Sequence, residues 1–319
     1  MSTPYLGRGA IGIGEESTWG TAVARSHWLR VISANISRVR EKRARPHLMG
    51  PGEPSAVRRT HYVARDVVEG SVEVEVGYQD ASLLLLKHAL GALATTGTDP
   101  YDHALTLSRE LPTGLTIEQV IGEKPDGTPI GEVFTGCLIT RLVLRVTGTE
   151  IMRATIDVIG KTSAGKVSDS SPSFGSADFP VQARFGSTLA WDNLTGKLTE
   201  MELTVDNRLT ERMLLGDLNG SRPARSDHAE VTMRATRELD ETTAYASYLA
   251  DAEENAVISF PDSPRDFEIT LHNAYGDSVD EGLSGAGIQT QTLELRGQGD
   301  GTNGGLAIEV TNNADGLNN

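Results

Sequence analysis

The stretch "VEGSVEVEVGYQDASLLLLKHALG", residues 68–91, sets a strict apolar alternation directly before a leucine-rich run. Val72, Val74 and Val76 alternate with Ser71, Glu73 and Glu75, the period of a half-buried strand. Leu85, Leu86, Ala89 and Leu90 then recur at the spacing of an amphipathic helix, with Asp80 placed as its N-cap. The chain repeats this unit in "AEVTMRATRELDETTAYASYLA", residues 229–250. Laying 71–90 on 230–249 needs no gap: Val72, Val74 and Val76 meet Val231, Met233 and Ala235. The helix stays in step, with Ala244, Tyr245, Tyr248 and Leu249 opposite the first apolar face and Asp240 as the second N-cap. Leu83 and Leu84 face Thr242 and Thr243, a divergence between the copies. Downstream, Gly136, Leu142, Leu144, Arg145 and Gly148 match Gly287, Leu293, Leu295, Arg296 and Gly299, so a closing hairpin also recurs.

Composition agrees with a β-rich chain. The 319 residues are enough for two ordinary domains, and 34 glycines with only 5% aromatics suit strands joined by many turns. The formal charge of -15 argues against a general nucleic-acid binder, which needs a clustered cationic excess. The single cysteine, Cys137, excludes an intramolecular disulfide and reads as a small buried hydrophobe in "TGCLIT". The N-terminus has no basic segment leading into an apolar core, and the cluster around Leu83–Leu86 is too short to span a bilayer, which predicts folding in a cytoplasm.

Charge is distributed unevenly. Residues 25–65 hold ten Arg or Lys (Arg25, Arg30, Arg38, Arg40, Lys42, Arg43, Arg45, Arg58, Arg59 and Arg65) against Glu41 and Glu53. A basic arm on an acidic body suits head-to-tail contact with an identical copy, since each molecule carries both halves of an attractive pair.

Further alternation marks strands at Leu138–Val146 and Met152–Val158, joined by "TGTE" as a hairpin, and at Met201–Val205 and Phe267–Leu271. The Gly, Ser and Pro-rich residues 160–180 read as a linker or exposed crossing loop. The expected organisation is a first module over 1–165, with a basic loop 38–60 and an N-terminal arm, a linker over 166–184, and a second module over 185–319 with a flexible tail.

Taken together, "GIGEESTWGTA" (residues 12–22: Gly12, Gly14, Glu15, Glu16, Thr18, Trp19, Gly20, Thr21), the unit ending "LGAL", "LPTGLTIE" (Leu111, Pro112, Leu115, Ile117) and "GCLITRLVL" resemble the tail tube proteins of long-tailed bacteriophages with non-contractile tails. The resemblance spans nearly the whole chain. It implies a mainly β fold, two tandem tube-type β-sandwich or barrel modules, each with a short flanking helix, whose sheets complete a β-barrel by oligomerisation. It also implies a structural subunit of the virion tail, assembled in the host bacterial cytoplasm into stacked rings around a lumen that conducts the genome. Two modules in one chain point to a trimeric ring imitating a hexamer, with a hexameric ring as the alternative. The implied partners are further copies of itself, a tape measure protein, and tail terminator or tail-tip proteins; DNA passes without specific binding, and the subunit makes no membrane contact. A non-enzymatic β-sandwich binding module of a tail tip, baseplate or spike is the competing reading.

A channel for DNA should not bind phosphates, so acids on amphipathic strands are candidate lumen residues: Glu73, Glu75, Glu200, Glu202 and Asp206. The candidate inter-ring arm carries Arg38, Arg40, Arg43, Arg45, Arg58 and Arg59, with "MGPGEP" at its tip. Enzyme motifs fail on context. "GRGAIG" follows no strand, "GKT" at 160–162 lacks the first glycine of a phosphate loop, no GxSxG is present, and the seven histidines show no metal-ligand spacing. No cofactor and no catalytic residue is expected.

Overall fold

A computed structural model describes residues 9–44, 61–78, 80–124, 126–167, 172–174, 179–183, 187–192, 194–239, 242–281, 288–299 and 304–313. The first half runs β1 (Ala10–Glu15), β2 (His27–Ala44), β3 (His61–Glu75), α1 (Asp80–Leu90), β4 (Gly91–Gly97), β5 (Tyr101–Leu107), β6 (Leu115–Glu123), β7 (Pro129–Thr147), β8 (Arg153–Gly160) and β9 (Thr162–Val167). The second runs β10 (Thr188–Trp191), β11 (Leu194–Asp206), β12 (Leu209–Arg212), β13 (Ser221–Arg225), β14 (Glu230–Glu238), α2 (Thr243–Leu249), β15 (Glu254–Ser259), β16 (Asp266–Asp280), β17 (Thr290–Arg296) and β18 (Leu306–Asn312). The mainly β expectation holds, and every strand pairing is antiparallel.

Pairings in the first half recur in the second. β1 lies between β2 and β6, β3 between β2 and β8, and β7 pairs with β6, β8 and β9. Likewise β10 lies between β11 and β15, β14 between β11 and β17, and β16 pairs with β15, β17 and β18. The irregularities recur too. A ladder slip between Val31 and Ser33 on β2 has its counterpart between Leu198 and Glu200 on β11. The slip between Ile139 and Arg141 on β7 matches that between Gly276 and Ser278 on β16, and the slip between Leu115 and Ile117 matches that between Glu254 and Ala256.

These registers correct two expected alignments. Through the shared ladders Val72 corresponds to Ala235, because Val72 pairs with Ile156 and Ala34, and Ala235 with Leu293 and Met201. The alignment of Val72 on Val231 is therefore displaced by four residues, a shift that preserves both the strand period and the helix face. The hairpin alignment is off by a strand: Leu142 and Leu144 lie in β7, whose counterpart is β16, while Leu293 and Leu295 lie in β17, the counterpart of β8.

The helices differ from the expected pair of amphipathic faces. In α1 Leu83 and Leu84 are as buried as Leu85, Leu86, Ala89 and Leu90, so it is enclosed rather than laid on a surface. In α2 the buried positions are Ala244 and Ser247, while Tyr245 and Leu249 are exposed. Asp240 lies outside the described residues, and Thr242 precedes α2 without a capping side-chain bond.

Long strands turn the corner between two layers. The first part of β7 pairs with β6 and β9, the last part with β8, and the change falls near Gly136 at φ 66°. Asn273 holds the corresponding place in β16 at φ 47°, a region where Gly is free and Asn is next most tolerated. The "EESTWG" segment pins the first corner. Glu16, 2% exposed, accepts the Gly136 N–H at 2.8 Å, the Thr116 hydroxyl at 2.9 Å and the Gly20 N–H at 2.6 Å. Trp19 Nε1 donates to the Gly136 carbonyl at 2.9 Å, under the Lys161 ammonium. Cys137, next to the corner, is fully buried, and burial pushes its thiol pKa upward.

Described parts of the predicted linker are docked. Lys166 and Val167 belong to β9, and Val181 is buried, exchanging backbone bonds with Val76 and Met152 at 2.8 and 2.9 Å. The two halves are clasped elsewhere as well. The β4–β5 hairpin adds to the second half's outer sheet through β5 and β18. From the other side, Arg225 donates to the carbonyls of Ser108 (2.6 Å) and Arg109 (2.8 Å), and Arg222 to those of Leu111 (2.9 Å) and Pro112 (3.0 Å).

Candidate assembly surface

The halves meet where β7 pairs with β11, from Thr147 opposite Glu200 to Arg141 opposite Asp206. Each half contributes four strands, and the junction fuses them into one sheet in the order β2-β3-β8-β7-β11-β14-β17-β16. One face is dry: Val72, Val74, Ile156, Leu142, Leu144, Met201, Leu203, Met233, Leu293 and Leu295 are all 2% exposed or less. The other face is polar and solvent-accessible.

All five candidate lumen acids lie on that polar face. One row across the strands reads Glu73, Thr155, Val143, Thr204, Thr232, Arg296. The next reads Glu75, Arg153, Arg145, Glu202, Arg234, Glu294, and a third Ser71, Asp157, Arg141, Asp206, Glu230. The face is thus an interlaced field and not a bare acidic wall. Arg145 pairs with Glu200 at 2.6 Å, Arg153 with Glu73 at 3.5 Å, and Arg208 with Asp206 at 3.4 Å. Arg296 bridges Glu230 and Asp277 at 2.8 and 3.0 Å. Arg141 and Arg145 were legible in "TRLVLRV", where they alternate with Leu142 and Leu144, but only the ladder shows that they stand opposite acids of the other half.

The basic segment is no loop over 38–44. Those residues form the far end of β2, paired with β3 as far as Ala44 opposite His61. Arg38 and Arg40 are engaged within the chain by Asp66, which is buried. The Arg38 bonds hold the Asp66 carboxyl below the usual carboxylate range, with the charge of Arg40 adding to the effect against the cost of burial. Arg43 is exposed and pairs with Glu41 at 2.7 Å. Arg45, Arg58, Arg59 and the "MGPGEP" tip lie outside the described residues.

The connection from β11 to β14 leaves the sheet at the same end as this hairpin, because β2 and β11 run in the same direction. It folds as the β12–β13 ribbon against β3, with the Asp66 N–H donating to the Leu218 carbonyl at 3.2 Å. Its tip carries exposed Met213, Leu214 and Leu215, the last with its full surface in solvent. Among the described residues no group of three His, Cys, Asp or Glu is placed to hold a metal, and no helix is long and apolar enough to cross a membrane.

The eight strands thus form one continuous sheet that, among the described residues, ends at β2 on one side and β16 on the other. A family model described as phage tail tube protein matches residues 7–311. The chain belongs to the phage tail tube protein family. It is therefore a structural subunit of the virion tail. No curated protein matches the sequence. Seen as a tail tube protein, the quoted motifs acquire physical roles: Glu16 and Trp19 lock the corner of β7, and the Leu111 and Pro112 carbonyls of "LPTG" receive Arg222 from the other half.

Proposed function

We propose that the chain consists of two tandem tube modules and assembles as trimeric rings, six modules per ring, that stack into a tube for DNA passage. The observation that carries this reading is the β7–β11 junction, which joins two similarly paired four-stranded blades into an eight-stranded sheet that, among the described residues, is still open at β2 and at β16. An open sheet edge pairs with whatever strand it meets unless it is closed, and a ring of three copies closes every edge. Fusing two modules halves the number of junctions that must form between separate molecules, which lowers the association entropy lost per ring.

In this reading the polar face lines the channel. Interlaced arginines neutralise part of the acid, and a net negative field against phosphates remains because Glu73, Glu75, Asp157, Glu200, Glu202, Asp206, Glu230 and Glu294 outnumber Arg141, Arg145, Arg153, Arg234 and Arg296 on this face. The β2–β3 hairpin and the Met213–Leu215 tip, at one end of the sheet, make the contact between rings. The test is electron microscopy of the purified protein with rotational averaging of end views. Hollow filaments with threefold-modulated sixfold symmetry are expected; a uniform monomer at high concentration overturns the reading.

A further inference from the structure

Past Val31, β2 has β3 on one side and, among the described residues, no strand on the other. Two of its outward backbone groups are nevertheless bonded. The Ile36 N–H donates to Gln119 Oε1 at 3.0 Å, and Gln119 Nε2 donates to the Ala34 carbonyl at 3.4 Å. A single side-chain amide thus offers one acceptor and one donor to the edge, as the backbone of a neighbouring strand would. The second half shows what replaces it. Ala34 and Ile36 correspond to Met201 and Leu203 through their ladders, and these face Val146 and Leu144 of β7. Gln119 corresponds to Ile258, since Gln119 pairs with Ile11 and Glu132 as Ile258 pairs with Leu189 and Ile269. Where the edge is covered by a strand, the position is apolar and fully buried; where the edge is open, it is a glutamine.

We infer that the Gln119 amide is a temporary cap on the β2 edge, displaced when β16 of a second copy docks there in the register that β7 and β11 use within one chain. This rests on the ring reading above. Carrying the β7–β11 pairs over to their counterparts places Ser37 opposite Asp280, Arg38 opposite Val279 and Val39 opposite Ser278 of the next copy. Charge agrees with that occupant. The open end of β16 bears Asp280 and Glu281 beside the Arg296-paired Asp277, and the approaching end of β2 bears Arg38 and Arg40, whose side chains stay 34% and 49% exposed while paired to Asp66. A capped edge also resists indiscriminate pairing of unassembled chains.

Because Ile36 turns its N–H outward, Ser37–Asp280 is a non-hydrogen-bonded pair, with Cα atoms about 4.5 Å apart, within disulfide reach. The double variant Ser37→Cys, Asp280→Cys should oxidise into covalently linked copies on assembly, while either single variant should not; Cys137 is buried and does not compete. Gln119→Ile should keep the fold and shorten the assembly lag about tenfold, the worth of roughly one net hydrogen bond. Rings without the cross-link overturn the register and leave the ring reading standing. An unchanged lag in Gln119→Ile with an intact melting temperature overturns the cap. Failure of the unmodified chain to form any ring overturns the reading beneath both.

Discussion

Arg38 grips Asp66 through two hydrogen bonds, Nε to Oδ1 at 2.6 Å and Nη2 to Oδ2 at 2.7 Å, where the β2–β3 hairpin leaves the sheet. Arg40 adds a third contact at 2.9 Å, and the Asp66 side chain is 1% exposed. A buried carboxylate held this way orients the base of the arm, so two of the arginines that sequence assigns to a partner serve the fold first.

Asp66→Asn cannot accept both guanidinium groups and should destabilise the chain by about 2 kcal/mol, within the range for lost charge-assisted bonds. Thermal unfolding of the unassembled protein checks this. An unchanged melting temperature would show that the pair contributes orientation alone.

The same pair sets an acid limit. Asp66 has a folded pKa below its unfolded value of about 3.9, so its contribution is complete above that value and is lost as pH falls through the lower folded value. The stability difference between the unmodified chain and Asp66→Asn should therefore be constant near neutrality and shrink on acidification below about pH 4. A difference that grows on acidification contradicts the assignment.

Gly136→Ala should cost about 2 kcal/mol or more, since a Cβ there would lie 2.8 Å from Lys161 Cβ and 2.9 Å from Trp19 Nε1 in a left-handed backbone. Asn273→Gly, at the matching corner, should stay within about 0.5 kcal/mol of the parent. Denaturant unfolding midpoints of the two variants test the contrast.

Leu214→Ser with Leu215→Ser removes exposed apolar surface from the β12–β13 tip and should leave folding intact. Single rings should persist while filament length drops severalfold in sedimentation and micrographs. Filaments of normal length would remove this tip from the contact between rings.

Val72, Val74 and Val76 against Glu73 and Glu75 determined by themselves that this segment is a strand with one wet face, because side chains alternate whatever the neighbours are. The recurrence of that unit near residue 230 was legible for the same reason. Its register was not: displacing the copies by four residues keeps every apolar position on its face, and only hydrogen-bonded ladders, with their matched slips, distinguish the alternatives. Nor does any periodicity show that Leu83 and Leu84 are enclosed, that Arg38 turns to Asp66, or that Gln119 reaches Ala34 and Ile36, since those contacts join residues 28 to 85 positions apart in the chain. Local pattern determines which side of an element is dry; which edge is covered, and by what, depends on where the rest of the chain is folded, and that the tertiary structure alone decided.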